Sequence, residues 1–75
     1  SISFSLSEPG DVSIDIYNVR GQKVRTLVNE VREAGNHSVV WNGTDDNGRS
    51  VGSGIFFYKM KTGRYTATKK MILLK

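Results

Sequence analysis

Apolar and polar residues alternate along most of this 75-residue chain, and glycine interrupts the alternation at short intervals. In the first run, Ile2, Phe4 and Leu6 are apolar, and Ser3 and Ser5 separate them. Successive side chains of a β-strand point to opposite faces, so this pattern predicts a strand with one buried face. An amphipathic helix would need a period near 3.6 residues instead. The alternation therefore favours β-structure wherever it holds.

The same reasoning predicts further strands along the chain. They lie at residues 12–17, 22–29, 37–41, 55–60 and 65–74, with at most one very short strand near residues 50–51. Gly21 and Gly63 mark two tight hairpins, which join the second strand to the third and the sixth to the seventh. Short runs with regularly spaced turn signals are typical of all-β sandwiches. The sequence therefore predicts an all-β, antiparallel sandwich of about seven strands, formed by residues 1–75 as a single domain.

The third predicted strand contains an irregularity. Val24 and Val28 are its expected anchors, and Leu27 breaks the strict alternation between them. One extra residue in a strand produces a β-bulge, so we expect one at Leu27. A helix over residues 24–34 is the alternative, although it would be short, poorly capped and rich in β-branched residues.

The core is expected to be thin, because 37% of the residues are hydrophobic and the chain is short. Trp41 is the largest apolar residue and is predicted to lie at the centre of this core, where its ring N–H needs a partner. Residues 55–60 are apolar at nearly every position. That run predicts a central strand covered on both faces, or on one face plus a neighbouring domain.

Composition argues against several classes of function. The net charge is +4, but the basic residues are scattered among acidic ones and form no clustered face of the kind that nucleic-acid binding requires. The chain has no cysteine, which excludes disulfides and cysteine-based zinc sites. No apolar run approaches the roughly 20 residues of a membrane span, so membrane insertion is not expected.

Catalysis is not expected either. A Ser-His-acid arrangement would have to use His37, the only histidine, and no recognisable nucleophile motif accompanies it. His37 is therefore interpreted as a surface or half-buried strand residue. Asp45 and Asp46 are adjacent in a turn, where aspartate is favoured because it hydrogen-bonds to nearby backbone. The sequence predicts no enzyme activity and no cofactor.

The segment Asp-Asp-Asn-Gly at residues 45–48 invites a test for calcium binding. An EF-hand loop places its first ligand five residues before the glycine and a glutamate six residues after it. Gly43 and Gly54 occupy those two positions, so this chain does not carry an EF-hand loop. A looser surface calcium site would use Asp45, Asn47 and backbone carbonyls, and a plain turn is the alternative.

The order of short motifs resembles a known family. The motifs are residues 2–6, Glu-Pro-Gly at 8–10, residues 12–17 ending in Ile-Tyr, Gly21, residues 23–28, Ala-Gly at 34–35, Val-Trp-Asn-Gly-Thr-Asp at 40–45, Gly48, Ser-Gly-Ile-Phe-Phe-Tyr at 53–58 and residues 70–75. The chain is similar to the immunoglobulin-like domain shared by flagellar hook-capping proteins and by type A C-terminal sorting domains of type IX secretion. The resemblance covers nearly all 75 residues.

The resemblance implies an immunoglobulin-like fold and, from its final segment, a sorting signal. It implies recognition by an outer-membrane translocon and sortase-like machinery, an N-terminal cargo domain in the same parent protein, and passage through the periplasm to the medium or the cell surface. The residues it points to for translocon recognition are Gly21, Gly35, Lys69, Lys70, Met71, Leu73 and Lys75. The family's usual Pro-Asn-Pro stretch before the first strand is missing and Ser1 is not methionine, so we expect a piece of a longer protein.

Two other functions remain open at this point. One is a structural or adhesive immunoglobulin-like spacer, or a module for assembly of the hook-cap type. The other is a carbohydrate-binding accessory module that uses Tyr17, Phe57 or Tyr65 as exposed stacking platforms. For the glycines and terminal lysines, the plain structural interpretations are turn geometry and protection of an edge strand.

Overall fold

A computed structural model describes residues 2–63 and 65–74, and every regular element in these residues is a β-strand. The strands are β1 (Ile2–Leu6), β2 (Gly10–Asn18), β3 (Lys23–Arg32), β4 (Gly35–Val39), β5 (Gly54–Thr62) and β6 (Thr66–Leu73). The all-β prediction is confirmed. The helical alternative for residues 24–34 is wrong, because β3 occupies most of that segment.

The strands form two antiparallel sheets of unequal width. Sheet I contains β1 and β4, and sheet II contains four strands in the order β3-β2-β5-β6. Both predicted hairpins are confirmed, since β2 pairs with β3 and β5 pairs with β6 in antiparallel register. The arrangement agrees with the immunoglobulin-like sandwich that the resemblance implies.

Between the two sheets lies a core that β2 dominates. Its residues Val12, Ile14 and Ile16 are almost completely buried, and Ile2 and Phe4 of β1 pack against them from sheet I. Burial of one such side chain contributes roughly 1.5–3 kcal/mol relative to leaving it in water. The alternation that predicted β1 and β2 therefore corresponds directly to the face that is buried.

Strand β3 carries the predicted bulge and a second one. Ile14 of β2 is opposite Val28, and the next residue, Asp15, is opposite Thr26, which leaves Leu27 as the extra residue. The bulge at Leu27 is confirmed. The register shifts again before Tyr17, which leaves Val24 as a second extra residue that the sequence reasoning did not anticipate.

The prediction that Trp41 forms the centre of the core is wrong. The residue follows β4, which ends at Val39, and its side chain is only partly buried. The ring packs edge-on against Phe56 with a centroid distance of 5.0 Å. Its ring N–H does have the expected partner, because Nε1 donates to the carbonyl oxygen of Thr44 at 2.8 Å. The centre of the core belongs to the smaller side chains of β2, which is enclosed by a neighbouring strand on each side.

Six strands are present in the described residues, against about seven expected. Where a very short strand was predicted near residues 50–51, a single bridge joins Thr44 to Ser50. The central position of β5 is confirmed by its place between β2 and β6. Its faces differ, however: Phe56 points inward and is 8% exposed, whereas Ile55 on the outer face is 43% exposed.

The packing predicts that shortening a side chain lowers the free energy of unfolding more on the inner face of sheet II than on the outer face. The substitution Ile14→Val removes one methylene from a fully buried position and is expected to lower the free energy of unfolding by about 1 kcal/mol. Urea denaturation followed by tryptophan fluorescence would measure the change. The matched control is Ile72→Val, on the outer face of β6, where the side chain is 65% exposed. Its expected effect is below about 0.5 kcal/mol, and equal losses at both positions would contradict the assigned core.

Candidate functional site

The β2–β3 turn is held by one asparagine. Oδ1 of Asn18 accepts hydrogen bonds from the backbone N–H groups of Arg20 at 2.9 Å and Gln22 at 3.0 Å. The N–H of Gly21 donates to the Asn18 carbonyl at 3.0 Å. Gly21 has a φ of 80°, in the left-handed region that glycine occupies without steric cost. The turn therefore requires glycine at this position whether or not a partner recognises it.

Gly35 is the other glycine that the resemblance singled out. It begins β4 with a φ of 125°, and it is paired with Leu6 of β1 in sheet I. A Cβ atom added there would meet no atom within 4 Å, so the requirement for glycine comes from the backbone conformation and not from crowding. Gly21 lies in the β2–β3 turn of sheet II, so the two glycines belong to different sheets.

The loop of residues 42–53 is organised by Asp45. Its Oδ1 accepts hydrogen bonds from the backbone N–H groups of Asn47 and Arg49, each at 2.9 Å. Its backbone carbonyl also accepts one from Gly48 at 3.0 Å. This is the geometry of an Asx-turn, in which the side-chain oxygen takes the place of a backbone carbonyl as hydrogen-bond acceptor. Among the described residues no three histidine, cysteine or acidic side chains cluster as a metal site would require.

The next aspartate protects the edge of sheet II. Oδ1 of Asp46 accepts a hydrogen bond from the backbone N–H of Thr26 at 3.0 Å, and the N–H of Asp46 donates to the carbonyl of Val24 at 3.2 Å. Both partners lie on β3, the strand at one edge of the sheet. An exposed strand edge is a template for unwanted pairing, and this loop occupies part of it. Sequence reasoning recognised the turn here but missed this contact, because nothing local indicates a partner 20 residues away.

The single histidine takes part in structural contacts. One ring nitrogen, Nε2, lies 2.7 Å from the carbonyl oxygen of Glu33. The ring also stacks on Phe4 with a centroid distance of 5.3 Å and an interplanar angle of 24°. His37 is half-buried, as the sequence reasoning expected of a strand residue. The stacking holds β4 against β1, because His37 and Phe4 are register partners, and the Glu33 contact links the ring to the segment that precedes β4.

Strand β6 contains four of the terminal residues proposed for translocon recognition, and their side chains alternate between the two faces of sheet II. Lys69 is opposite Tyr58 on the inner side of sheet II, whereas Lys70 is opposite Phe57 on the outer side. Both lysines are exposed, and β6 is an edge strand. Met71 and Leu73 point inward and are half-buried against the core. Lys75 lies outside the described residues.

The proposed recognition residues are therefore only partly brought together. Gly21 lines the same shallow hollow as Phe57, and Phe57 is the neighbour of Lys70. Gly35 is in the other sheet, paired with β1. A single partner surface on the outer face of sheet II would reach Gly21 and Lys70 and would not reach Gly35.

Two of the three suggested stacking residues are neighbours. Tyr17 and Phe57 are directly opposite each other on the outer face of sheet II, and they line a hollow of about 230 Å³ with Lys59. Tyr65 is 53% exposed but lines a groove on the inner side of the same sheet. A flat platform for a sugar ring would consist of Tyr17 and Phe57, without Tyr65.

Comparison with known protein families identifies a family for this chain. A family model described as the FlgD Ig-like domain matches residues 1–68. No curated protein and no solved structure gave a significant match. In the part of the chain that the structure describes, no helix has the length and apolar character needed to cross a membrane.

The hydrogen bonds accepted by the Asp45 side chain are expected to stabilise the folded domain. Asp45→Ala removes the acceptor of two backbone N–H groups and is expected to lower the free energy of unfolding by about 1–2 kcal/mol. Asp45→Asn keeps an oxygen at the same position and is expected to retain most of the stability. Thermal unfolding monitored by circular dichroism would compare the two. A rise in melting temperature when calcium chloride is added to the wild type, absent in Asp45→Asn, would contradict the plain turn and support a calcium site.

Proposed function

We propose a structural, non-catalytic role for this chain, which belongs to the FlgD Ig-like domain family. The chain acts as a preformed β-sandwich within a larger protein, where it spaces or supports neighbouring domains or contributes to their assembly. The observation that carries this proposal is the family match, which spans residues 1–68 and so includes most of the sandwich.

The use of polar side chains supports the same role. Asn18 and Asp45 bind the backbone of their own turns, and Asp46 binds the edge of β3. The ring nitrogen of Trp41 and the Nε2 atom of His37 also have backbone carbonyls as partners. An active site needs a nucleophile, a base and an electrophilic group that converge on one cavity. These side chains instead fix the loops between strands, which is what a rigid module requires.

If the role is structural, an unrelated β-sandwich should be able to replace this module without loss of the parent protein's function. In a parent protein that contains residues 1–75, replacement by an unrelated β-sandwich with a similar long axis of about 36 Å is expected to preserve folding and assembly. Deletion of the same residues is expected to impair both. Size-exclusion chromatography and the parent's own activity would measure the outcome. If the exchanged protein fails as completely as the deleted one, the surface of this module is recognised specifically and the spacer role is wrong.

A second candidate role is that of a signal for export by a type IX secretion system. It is supported by the exposed lysines Lys69 and Lys70 on the edge strand β6, which a translocon component would be able to reach. These residues lie beyond the span of the family match, so the match does not bear on them. In this role an N-terminal cargo domain would be carried through the periplasm to the medium or the cell surface. A sortase-like step would then release or attach the cargo.

Export of a reporter would test this second role. A fluorescent cargo is fused before residue 1 and expressed in a bacterium that has a type IX system. The sorting role predicts loss of export when Lys69, Lys70 and Lys75 are changed to Ala and when residues 71–75 are deleted. Lys23→Ala with Lys59→Ala is the control for loss of positive charge, because these exposed lysines lie on β3 and β5. Continued export of both altered proteins would eliminate the sorting role.

A further inference from the structure

The unequal width of the two sheets leaves part of the inner face of sheet II uncovered. Sheet I has two strands and sheet II has four. The inward residues of β5 and β6 that lie beyond β1 form the floor of an open groove of about 480 Å³. We call it the β1 groove and define it by six of its lining residues: Ile2, Leu6, Tyr58, Met60, Ala67 and Lys69.

The groove floor has the character of an interior surface. Tyr58 and Met60 are opposite the buried residues Ile16 and Ile14, and Ala67 is opposite Met60, so all three side chains point to the inner face of sheet II. Tyr58 and Met60 pack at the margin of the core and are only half-buried. A sandwich covers such positions with a strand of the opposite sheet. The described residues of sheet I do not extend that far.

The wall of the groove is an unpaired strand edge. In sheet I, β1 is hydrogen-bonded to β4 on one side and, among the described residues, to no strand on the other. In an antiparallel pair, every second residue directs its N–H and C=O groups away from the partner strand. The edge of β3 is capped by Asp46, so the chain protects one edge and leaves β1 open beside an apolar floor. An open edge next to apolar pockets is the arrangement used in strand addition, where main-chain hydrogen bonds give affinity and the pockets give specificity.

We propose that the β1 groove binds an extended peptide segment of a partner protein, which adds to β1 as a third strand of sheet I. The inference goes beyond the structural role, because a spacer needs no ligand. Alternate side chains of the bound segment enter the groove over Met60 and Ala67, and small β-branched residues suit a groove of this size. The five residues of β1 set the length of the paired segment.

The charges at the two ends of the groove specify the end charges of a peptide that pairs with β1 in antiparallel direction. The chain passes from β1 into β2 through residues 7–9, so the Leu6 end carries the acidic side chain of Asp11. Lys69 is opposite Tyr58 and lies farther along sheet II, at the end where β1 begins. An antiparallel segment runs from the acidic end to the lysine end. It therefore needs a basic residue at its start and an acidic residue at its finish.

A second copy of this chain fits the groove less well than a free segment does. The β1 strand of another copy is accompanied by its own sheet II, which extends beyond β1 in the same way. Two such sheets would meet at their β6 strands when the β1 strands approached each other. A single extended segment has no such obstruction.

The test uses a blocked heptapeptide, acetyl-Lys-Val-Thr-Val-Thr-Val-Glu-amide, titrated into the 75-residue protein and followed by amide NMR. We expect shifts and slower hydrogen exchange concentrated in β1 and in the groove residues of β5 and β6. The peptide with its first and last residues exchanged keeps its composition but reverses both charges. It is expected to bind at least about fivefold more weakly, because two favourable pairs become repulsive. Equal binding of the two peptides would overturn the assigned direction and the charge argument.

Two neighbouring positions on β6 provide matched variants. Ala67→Trp fills the groove, whereas Thr68→Trp places the same side chain on the opposite face of the same strand. We expect Ala67→Trp to weaken peptide binding more than tenfold and Thr68→Trp to leave it within about twofold of wild type. Amide spectra of the free variants report whether each remains folded. Undiminished binding by a folded Ala67→Trp protein would overturn the proposal, as would equal losses in both variants.

The oligomeric state provides the last control. Analytical ultracentrifugation of the protein alone is expected to show a monomer, and amide NMR is expected to show rapid hydrogen exchange for the β1 amides that point away from β4. A dimer in which these amides are protected would overturn the proposal, because it would assign the groove to a second copy. If the peptide does not bind, the result of replacing this module in the parent protein is unchanged. Failure of the groove proposal can therefore be distinguished from failure of the structural role.

Discussion

Burial of one face of β2 is the constraint on which the rest of the structure depends. Ile14 and Ile16 are completely buried, and β2 pairs with β3 on one side and β5 on the other. Because side chains alternate strictly along a strand, a slip of one residue would expose this whole face. The register of β2 with β5 then decides which side of sheet II each β5 residue occupies. Tyr58 and Met60 form the groove floor, and Phe57 lies beside Tyr17 on the outer face, because Ile14 and Ile16 point inward.

The features that the sequence predicted well are those encoded in neighbouring residues. Alternation located β1 and β2, the break at Leu27 located a bulge, and Gly21 located a turn that needs a positive φ. The second bulge, at Val24, was missed because no break in local alternation marks it. Its carbonyl accepts a hydrogen bond from Asp46, so this irregularity lies where a distant loop pairs with the strand edge. Long-range contacts of this kind leave no local pattern.

The error at Trp41 shows why size does not determine position in a core. A side chain becomes central when its strand has neighbours on both sides and a sheet above it, as β2 does. Trp41 follows the end of β4, in the two-stranded sheet, and therefore lies at the margin. There the ring still covers Phe56, and its N–H holds the loop through the Thr44 carbonyl. A large amphipathic ring suits a margin better than a fully enclosed centre, because one end can remain polar.

Two of the candidate surfaces, the β1 groove and the edge of β6, lie where the sandwich is incomplete. The buried face of β2 determines the sandwich fold, and it places no requirement on what contacts the periphery of the domain. The edge of β3 is capped by the chain itself, whereas β1, β4 and β6 each present an edge without a strand neighbour in the described residues. The family match ends at residue 68, within β6, so it spans five of the six residues that define the β1 groove and excludes Lys69 and Lys70. A peptide held along β1 would thus contact mainly residues inside the matched span. A signal read from the end of β6 would depend on residues beyond that span.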